Sequence, residues 1–481
     1  MDVGSSGAIP ATSLALTKRL LPWLVAVAFF MEALDTTILN TAVPSIAAAL
    51  RVTPLSLKSV LASYTLSLAV FIPISGWMAD RFGTRRVFAA AIGVFTLGSF
   101  LCGISSDTHL LVACRILQGA GGAMMVPVGR LTLVRTFPKS ELIRTMSFVA
   151  IPALVGPLLG PITGGLIVHY LNWRFIFFVN VPIGITGLIL VYLYLPDYRN
   201  PLSHPLDVVG FILFGAGIGL LSYVLEVFGE HRLSTIEIVS LLVLSFVLIG
   251  GYVAHARRTA FPLLNLQLTK TRTFRVAVLG SFITRLGVGG VPFLLPLLYQ
   301  VGLGMTAVQS GLLIVPQALA AMSTKFWAPR VLERLGYRAI LVSNTLLIGV
   351  LILAFGTVGI GTPIWLIVIQ AFAYGAFMSL QFTSMNTLVY ADVVEADTSA
   401  ASTIASTMQQ MSISFGVAVA GLATVFFLPD PTAQTSASMI HGIHEAFLVL
   451  GTFTILSTIV FRELKADDGQ AVSKQKALEI G

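Results

Sequence analysis

The stretch GWMADRFGTRR, residues 76–86, joins the second and third long apolar segments of this chain. A shorter version, ERLGYR at residues 333–338, joins the tenth and eleventh. The acid, Arg, Gly and Arg of the first stretch recur 253 residues later, where Glu333 stands in the place of Asp80. A fixed long offset between corresponding apolar segments is typical of internally duplicated membrane proteins. The two stretches therefore predict two similar halves, each made of several helices.

Composition limits the class of protein. Of 481 residues, 56% are hydrophobic and only 10% are charged, whereas a soluble domain carries about 25% charged residues. The apolar segments are about 20 residues long and do not alternate, which predicts membrane helices and not barrel strands. Basic loops beside the bilayer explain the net charge of +8. We expect an all-α integral membrane protein with no soluble domain to bind nucleic acid.

Fourteen apolar segments are long enough to span a lipid bilayer. These spans are predicted at residues 20–44, 59–79, 87–105, 109–134, 142–168, 174–195, 208–228, 236–254, 273–299, 308–328, 337–356, 363–388, 399–428 and 441–462. If each one crosses, 23 of the 29 Lys and Arg residues lie on the side of the N-terminus and four on the other side. Because basic residues collect in cytoplasmic loops, we expect both termini to be cytoplasmic, in the cell (inner) membrane.

The repeat also predicts the domain organisation. The two related stretches follow spans 2 and 10, so the duplicated unit has six helices and spans 7 and 8 are an insertion. We predict an N-terminal six-helix bundle at residues 1–195, two inserted linker helices at 196–272 and a C-terminal six-helix bundle at 273–481.

Two carboxylates, Glu32 and Asp35, lie in the middle of span 1. A charged side chain at this depth costs roughly 2.5 kcal/mol or more on insertion scales, and it is treated as functional by default. Residues three apart on a helix share a face, so the two acids are expected to lie together. We predict a proton-binding role for them, with Asp35 the stronger candidate. The alternative is that Asp35 bonds neighbouring polar groups and only shapes the helix.

Four motifs resemble those of the major facilitator superfamily. The stretch at 76–86 resembles its loop signature, and Arg115-x-x-Gln118-Gly119 in span 4 resembles its fourth-helix motif. Residues 34–44, LDTTILNTAVP, resemble the first-helix motif of the fourteen-helix drug:proton antiporter family. The antiporter motif, found chiefly in exporters, is resembled by residues of span 5, namely Gly156, Gly160, Pro161, Gly164 and Gly165. The resemblance implies the major facilitator fold, with two six-helix bundles plus two inserted central helices.

The resemblance implies roles in proton coupling. Asp35 belongs to the first-helix motif, whereas Glu32 stands outside it. Arg115 is similar to the motif arginine linked to proton transfer, and a buried guanidinium needs partners. Asp35, Gln118 or backbone carbonyls are the candidates. The alternative is a structural ion pair, or an arginine that extends towards the membrane surface.

The resemblance also implies that the loop stretch forms a cytoplasmic gate. Its glycines would allow a close backbone approach and a tight turn, and Asp80 would bond Arg130 or cap a helix. The predicted gate residues are Gly76, Asp80, Arg81, Gly83, Arg85 and Arg130. The small residues of span 5 predict close helix packing, either as part of a gating bend or as ordinary membrane packing.

A substrate cavity is expected between the two halves. The polar residues predicted to line it are Asn40, Gln118, Arg285, Asn386 and Gln409. Arg285 has no counterpart in the first half. It could attract anionic or zwitterionic substrates, or it could neutralise Glu32 or Asp35 across the interface.

These features predict a proton-coupled antiporter that exports amphipathic, cationic drugs or toxic compounds from the cytoplasm. The alternative is a proton-coupled exporter of one metabolite, such as a siderophore, an organic acid or a lipid. No nucleotide-binding signature is visible, so we expect a proton gradient to drive transport, without a cofactor or a metal. The expected partners are small-molecule substrates and protons, and we expect a monomer that is not an enzyme.

Overall fold

The computed structural model describes residues 11–199, 204–227, 234–428 and 436–469. In these ranges the chain is helical, and fourteen helices are long and apolar enough to cross a membrane, which confirms the predicted number. The spans are Lys18–Leu50, Pro54–Phe82, Thr84–Ile104, Thr108–Thr136, Arg144–Tyr170, Phe175–Tyr194, Val208–Val227, Thr235–Ala256, Arg272–Gly302, Ala307–Leu335, Tyr337–Phe355, Ile364–Leu388, Thr398–Phe426 and Ser436–Phe461. The segments 1–10 and 470–481, predicted to be cytoplasmic, lie outside the described residues.

Span 1 continues beyond its predicted end at residue 44. The first helix, Ala11–Ile38, gives way to a 3₁₀ turn at Asn40–Ala42, and a second helix follows at Val43–Leu50. Pro44 stands in the first turn of that second helix, where the missing amide hydrogen of proline costs no hydrogen bond. The helix ends at Arg51, whose φ of 56° is left-handed.

The two six-helix bundles have the same packing. In the first bundle, span 1 packs on span 5, span 2 on span 4, and span 3 on span 6. In the second, span 9 packs on span 13, span 10 on span 12, and span 11 on span 14. Each pair of the second bundle lies eight spans after its counterpart, as expected if spans 7 and 8 interrupt a six-helix repeat. The backbone of the repeated loop matches as well, because Gly83 (φ 98°) and Gly336 (φ 75°) are both left-handed.

Spans 7 and 8 pack on each other beside the interface between the bundles. The Ser245 hydroxyl on span 8 donates to the Gly217 carbonyl on span 7 at 2.8 Å, and span 7 contacts spans 2 and 13. Asp207 joins the start of span 7 to the end of span 8, since its carboxylate accepts from the Gly210 amide and lies 2.7 Å from His255 Nε2. Partial burial raises the pKa of Asp207, but hydrogen bonds from Gly210, His255 and Leu263 together outweigh burial, so the pKa lies below its ordinary value.

The bundles meet mainly through spans 2 and 13 and through spans 5 and 10. We call the membrane side that carries the loop at 82–84 the basic end and the other side the opposite end. Two hydrogen bonds between the bundles lie towards the opposite end: Gln300 Nε2 donates to the Thr41 carbonyl at 3.0 Å, and Ser414 Oγ donates to the Ala62 carbonyl at 3.0 Å. Gly311 of span 10 lies against the Pro161 backbone in the same region.

Candidate functional site

The Asp35 carboxylate is enclosed by three polar side chains from two other spans, the fourth and the sixth. Its Oδ2 accepts from Arg115 Nη1 at 2.6 Å, and its Oδ1 accepts from Gln118 Nε2 at 2.8 Å and from Asn180 Nδ2 at 3.2 Å. Asp35 and Arg115 are each only 1% exposed. The ion pair is therefore shielded from water and electrically neutral as a unit. Asp35 is thus bonded to residues of spans 4 and 6 and not to Thr36 or Thr37, whose hydroxyls donate to backbone carbonyls.

Arg115 has all three kinds of partner that the sequence predicts. Besides Asp35, its Nη1 donates to Gln118 Oε1 at 2.7 Å and its Nε donates to the Val60 carbonyl at 3.4 Å. The guanidinium also lies over the Tyr64 ring, 4.1 Å from the centroid. Gln118 donates in turn to Ser99 at 2.7 Å. We call Asp35, Arg115, Gln118 and Asn180 the ion-pair cluster.

Glu32 lies outside that cluster, on the wall of a cavity. This cavity, about 380 Å³ in volume, is called here the basic-end cavity. Its polar lining consists of Glu32, Arg130, Asn386, Tyr390, Ser402, Ser406, Gln409 and Gln410. Glu32 is half-buried, and the charged groups that act on it are Asp35, one turn further along span 1, and Arg130 of span 4. Tyr64 of span 2 is also within electrostatic range.

A second cavity, about 240 Å³ in volume and mostly apolar, lies next to the first towards the opposite end. We call it the central cavity. Its wall includes Thr37, Asn40, Pro157, Pro161, Arg285, Gln317, Met378 and Phe382. Arg285 is 2% exposed, donates from Nε to Ser281 Oγ at 2.8 Å and from Nη2 to Asn386 Oδ1 at 3.0 Å, and lies over the Phe382 ring at 3.9 Å.

The two cavities are consecutive along three helices. Span 1 contributes Glu32 to the basic-end cavity and Thr37 to the central cavity. In the same way, span 12 contributes Asn386 and then Phe382, and span 13 contributes Gln409 and then Ile413. Each step is about one helical turn, or roughly 5.4 Å. The Arg285–Asn386 hydrogen bond therefore lies at the junction of the two cavities.

The predicted cavity residues divide into three groups. Asn40 and Arg285 line the central cavity, and Asn386 and Gln409 line the basic-end cavity. The prediction that Gln118 lines the cavity is wrong, because its amide is fully buried in the ion-pair cluster. The alternative in which Arg285 neutralises Glu32 or Asp35 is also wrong in this structure, because its partners are the neutral side chains of Ser281, Asn386 and Phe382.

The gate stretch forms a different ion pair from the predicted one. Asp80 Oδ1 accepts from Arg135 Nη2 at 2.6 Å, whereas Arg130 lines the basic-end cavity near the Phe29 ring. Arg135 comes five residues later on span 4, where the helix reaches the loop. A close backbone approach at Gly76 is not found either, because a Cβ added there would meet no atom within 4 Å.

The segment after span 6 holds the gate loop, a contact that the sequence did not predict. The Thr84 amide donates to the Tyr198 carbonyl at 3.0 Å, and the Arg85 amide donates to Asp197 Oδ1 at 3.2 Å. A Cβ added at Gly83 would collide with Asp197, so both the positive φ and the contact require glycine there. The side chain of Arg81 is exposed.

The glycines of span 5 pack directly on span 1. A Cβ at Gly156 would lie 2.7 Å from Ala33 Cβ and 2.9 Å from the Ala33 and Leu34 backbone. Added Cβ atoms at Gly160 and Gly164 would likewise meet Thr37, Ile38 and Thr41. Gly165 instead faces the Ala307 carbonyl of span 10, across the bundle interface. The predicted close packing is confirmed, and it lies beside both acids of span 1.

Comparison with known proteins decides the family. The sequence model of the Major Facilitator Superfamily matches residues 25–417 and, in a second match, residues 277–478. The chain belongs to the major facilitator superfamily. It is 39% identical over 445 residues to the "Putative multidrug resistance protein MdtD" of Serratia proteamaculans, covering 92% of this chain and 93% of that protein. It is 38% identical over 467 residues to the protein of the same name from Escherichia coli K12, covering 97% and 99%.

Solved transporter structures share the fold. A D-xylose-proton symporter superposes with a TM-score of 0.67 at 14% identity, covering 94% of this chain and 99% of the other. The POT family transporter PepTSo gives 0.69 at 14% identity, covering 95% and 98%. The superfamily and the multidrug resistance relatives place the chain in the predicted drug:proton antiporter family. It is a multi-pass membrane transporter and not an enzyme.

Proposed function

We propose that this transporter is a proton-coupled antiporter that exports amphipathic compounds carrying a positive charge from the cytoplasm. The proton gradient would drive it without a cofactor, in the cell (inner) membrane, with both termini cytoplasmic and one chain as the working unit. The names of its relatives support drug export. The mostly apolar central cavity, with few polar groups, suits an amphipathic ligand.

One observation carries the proposal: the Glu32 carboxyl group lines the basic-end cavity, next to the central cavity. A carboxyl group at this depth is neutral when it holds a proton and attracts a cation when it does not. A cationic substrate and a proton would then compete for Glu32. Competition for one group makes release of the proton a condition for binding the substrate, and this couples their opposite movements.

The ion-pair cluster supports a second role, for Asp35. In this conformation the Asp35 carboxylate is paired with Arg115, so a proton can bind Asp35 only after their 2.6 Å contact opens. Asp35 and Glu32 lie about one turn apart on span 1. We assign to Asp35 and Arg115 a relay whose proton affinity changes when the spans move, and to Glu32 the contact with substrate.

The arrangement of the bundles supports alternating access. In this structure the bundles touch near the opposite end, and the two cavities follow one another from that contact to the basic end. If the basic end is cytoplasmic, as the charge distribution predicts, the conformation receives substrate from the cytoplasm. Rocking of the bundles about spans 2 and 13 and spans 5 and 10 would then open the opposite side.

Exchange in liposomes tests the proposal. The protein is reconstituted with a pH-sensitive dye inside, and proton release is measured when a lipophilic cation such as ethidium is added. We expect Glu32→Gln to abolish ethidium-driven proton release, since glutamine holds no exchangeable proton. Asp35→Asn should abolish it too. Glu463→Gln is the matched control, because Glu463 is 55% exposed and pairs only loosely with Arg275 at 3.7 Å. Wild-type exchange by Glu32→Gln would refute the assignment.

A further inference from the structure

Arg285 is a buried cation whose partners among the described residues are all neutral. It is 2% exposed, and its partners are the Ser281 hydroxyl, the Asn386 amide oxygen and the Phe382 ring. No carboxylate of the described residues forms an ion pair with it. Neutral hydrogen bonds orient a guanidinium but leave its charge uncompensated, and an uncompensated buried charge is costly. Because Arg285 forms part of the wall of the central cavity, that charge is available to a ligand there.

A second cation lies on the way to Arg285 from the basic end. Lys325 is on span 10, four residues after Ala321 and eight after Gln317, both of which line the central cavity. Residues four apart share a helix face, so Lys325 continues this lining face towards the basic end. Its Nζ donates to Thr383 Oγ1 at 2.9 Å, beside Phe382, and its charge is close enough to interact with that of Arg285. The second bundle thus presents Arg285 at the central cavity, with Lys325 nearer the basic end, and the first bundle presents Glu32 together with Arg130 at the basic-end cavity.

The acid and the buried cation are separated by the junction of the cavities. Asn386 accepts from Arg285 and also lines the cavity that contains Glu32. Since the lining residues step by one turn on each helix, Glu32 and Arg285 differ in depth along the helix axes by about one to two turns, or roughly 5–11 Å. The central cavity alone, at about 240 Å³, is smaller than the ~300–1,000 Å³ of typical drug-sized sites. A ligand that reaches from one cavity into the other would use both charges.

We propose that the two cavities together form a site for amphoteric substrates, in which Arg285 binds an anionic group such as a carboxylate and Glu32 binds a protonated amine. The apolar body of the substrate would lie against Phe382, Met378 and Pro157. This deepens the proposed function and rests on it. The amine still competes with the proton at Glu32, so antiport is retained. Among cationic substrates, Arg285 then selects those that also carry an anionic group.

Geometry favours a carboxylate at Arg285 over a simple dipole. A guanidinium offers paired N–H donors that match the two oxygens of a carboxylate. Two of its donors already point to Ser281 and Asn386, which fixes the plane of the group against the Phe382 ring. The remaining N–H groups are free to meet a ligand. A hydrogen bond between charged groups changes affinity by about 10- to 100-fold.

A matched set of three fluorescent probes tests the inference. Nα-dansyl-lysine carries a carboxylate and an amine, its methyl ester carries only the amine, and its Nε-acetyl derivative carries only the carboxylate. Binding to the full-length protein in lipid nanodiscs is followed by dansyl fluorescence. We expect the amphoteric probe to bind about 10- to 100-fold more tightly than the ester. The acetyl derivative should also bind less tightly than the amphoteric probe.

Variants then assign the preference to residues. Arg285→Gln should bring the affinity of the amphoteric probe down to that of the ester and leave the affinity of the ester unchanged. Arg285→Lys should restore part of the preference. Arg275→Gln is the control, because Arg275 lies on the same span but is 42% exposed at the basic end. Equal binding of the amphoteric probe and the ester to the wild-type protein would overturn the inference without requiring any variant to fold.

Proton release with the same probes separates this inference from the proposed function. If the ester releases protons but binds as tightly as the amphoteric probe, the amphoteric site is refuted and antiport stands. If no probe releases protons but the amphoteric preference disappears in Arg285→Gln, antiport is refuted and the Arg285 site stands. Equal binding of the acetyl derivative and the amphoteric probe would refute the role of Glu32 in the site.

Discussion

Burial should decide how strongly the two arginine–aspartate pairs of the first bundle are coupled. The Asp35–Arg115 and Asp80–Arg135 pairs have the same 2.6 Å contact, but the side chains are 1% exposed in the first and 28–29% exposed in the second. Removing one partner of a buried pair leaves an unpaired charge and costs about 3–5 kcal/mol. An exposed pair is worth only about 0–1 kcal/mol.

A double-mutant cycle measures the difference. Asp35→Asn and Arg115→Gln should each lower the free energy of unfolding by about 3–5 kcal/mol. The double variant should lose no more than either single variant, because no charge then stays buried alone. The coupling energy is therefore expected to be about 3 kcal/mol or more. The cycle of Asp80→Asn with Arg135→Gln should give about 1 kcal/mol or less.

Both cycles can be measured in mixed micelles, by following tryptophan fluorescence during titration with sodium dodecyl sulfate. The partly exposed Asp80–Arg135 pair serves as the internal control, since the distance and the chemistry are the same. Equal coupling energies in the two cycles would refute the argument from burial. Additive effects of Asp35→Asn and Arg115→Gln would show that the pair does not hold the cluster together.

Three further predictions follow from single contacts. Gly156→Ala should lower the free energy of unfolding by about 1–3 kcal/mol, because the new methyl group meets the backbone of span 1. Gly187→Ala is the control, because the added atom meets nothing within 4 Å. It should leave the free energy of unfolding unchanged or raise it in the same titration. Asp80→Asn should cost about 1 kcal/mol or less in unfolding and yet slow ethidium exchange in liposomes, if the loop acts as a gate; unchanged exchange would remove that role. The pKa of Asp207 is lowered in the folded protein. The ionised Asp207 therefore stabilises the fold above the ordinary carboxyl pKa of about 3.9, and this stabilisation is lost as pH falls through the lowered pKa. The free energy of unfolding should accordingly depend less on pH in that acid range in Asp207→Asn.

Local patterns in the sequence were sufficient to predict the fold. A run of about 20 apolar residues forms a membrane helix whatever its neighbours are, since the bilayer requires every backbone polar group to be bonded within the segment. The fourteen spans and the six-helix repeat could therefore be predicted from the two related loop stretches and the apolar segments alone. The errors at helix ends, such as the continuation of span 1 through Pro44, arise because a proline can end a helix or occupy the first turn of the next one.

Side-chain partners could not be predicted in the same way. Asp80 was expected to bond Arg130 but bonds Arg135, five residues later, because the direction of each residue around span 4 depends on how the span packs. Gln118 lies near Arg115 in the sequence, yet its burial against Ser99 and Asp35 depends on spans 1 and 3. Asn180 donates to Asp35 from span 6, and no spacing in the sequence points to that contact.

The two acids of span 1 show the division most clearly. From the sequence alone, Glu32 and Asp35 are recognisable as two acids of one membrane helix, where a charge is energetically unfavourable. The family motif makes Asp35 the first candidate for proton binding. The tertiary structure separates them: Asp35 is closed in an ion pair with Arg115, and Glu32 faces a cavity that adjoins Arg285. The helix places the two residues about one turn apart because backbone geometry is local. Which one meets a substrate depends on the side chains that other spans bring to it, and only the packed bundles determine those.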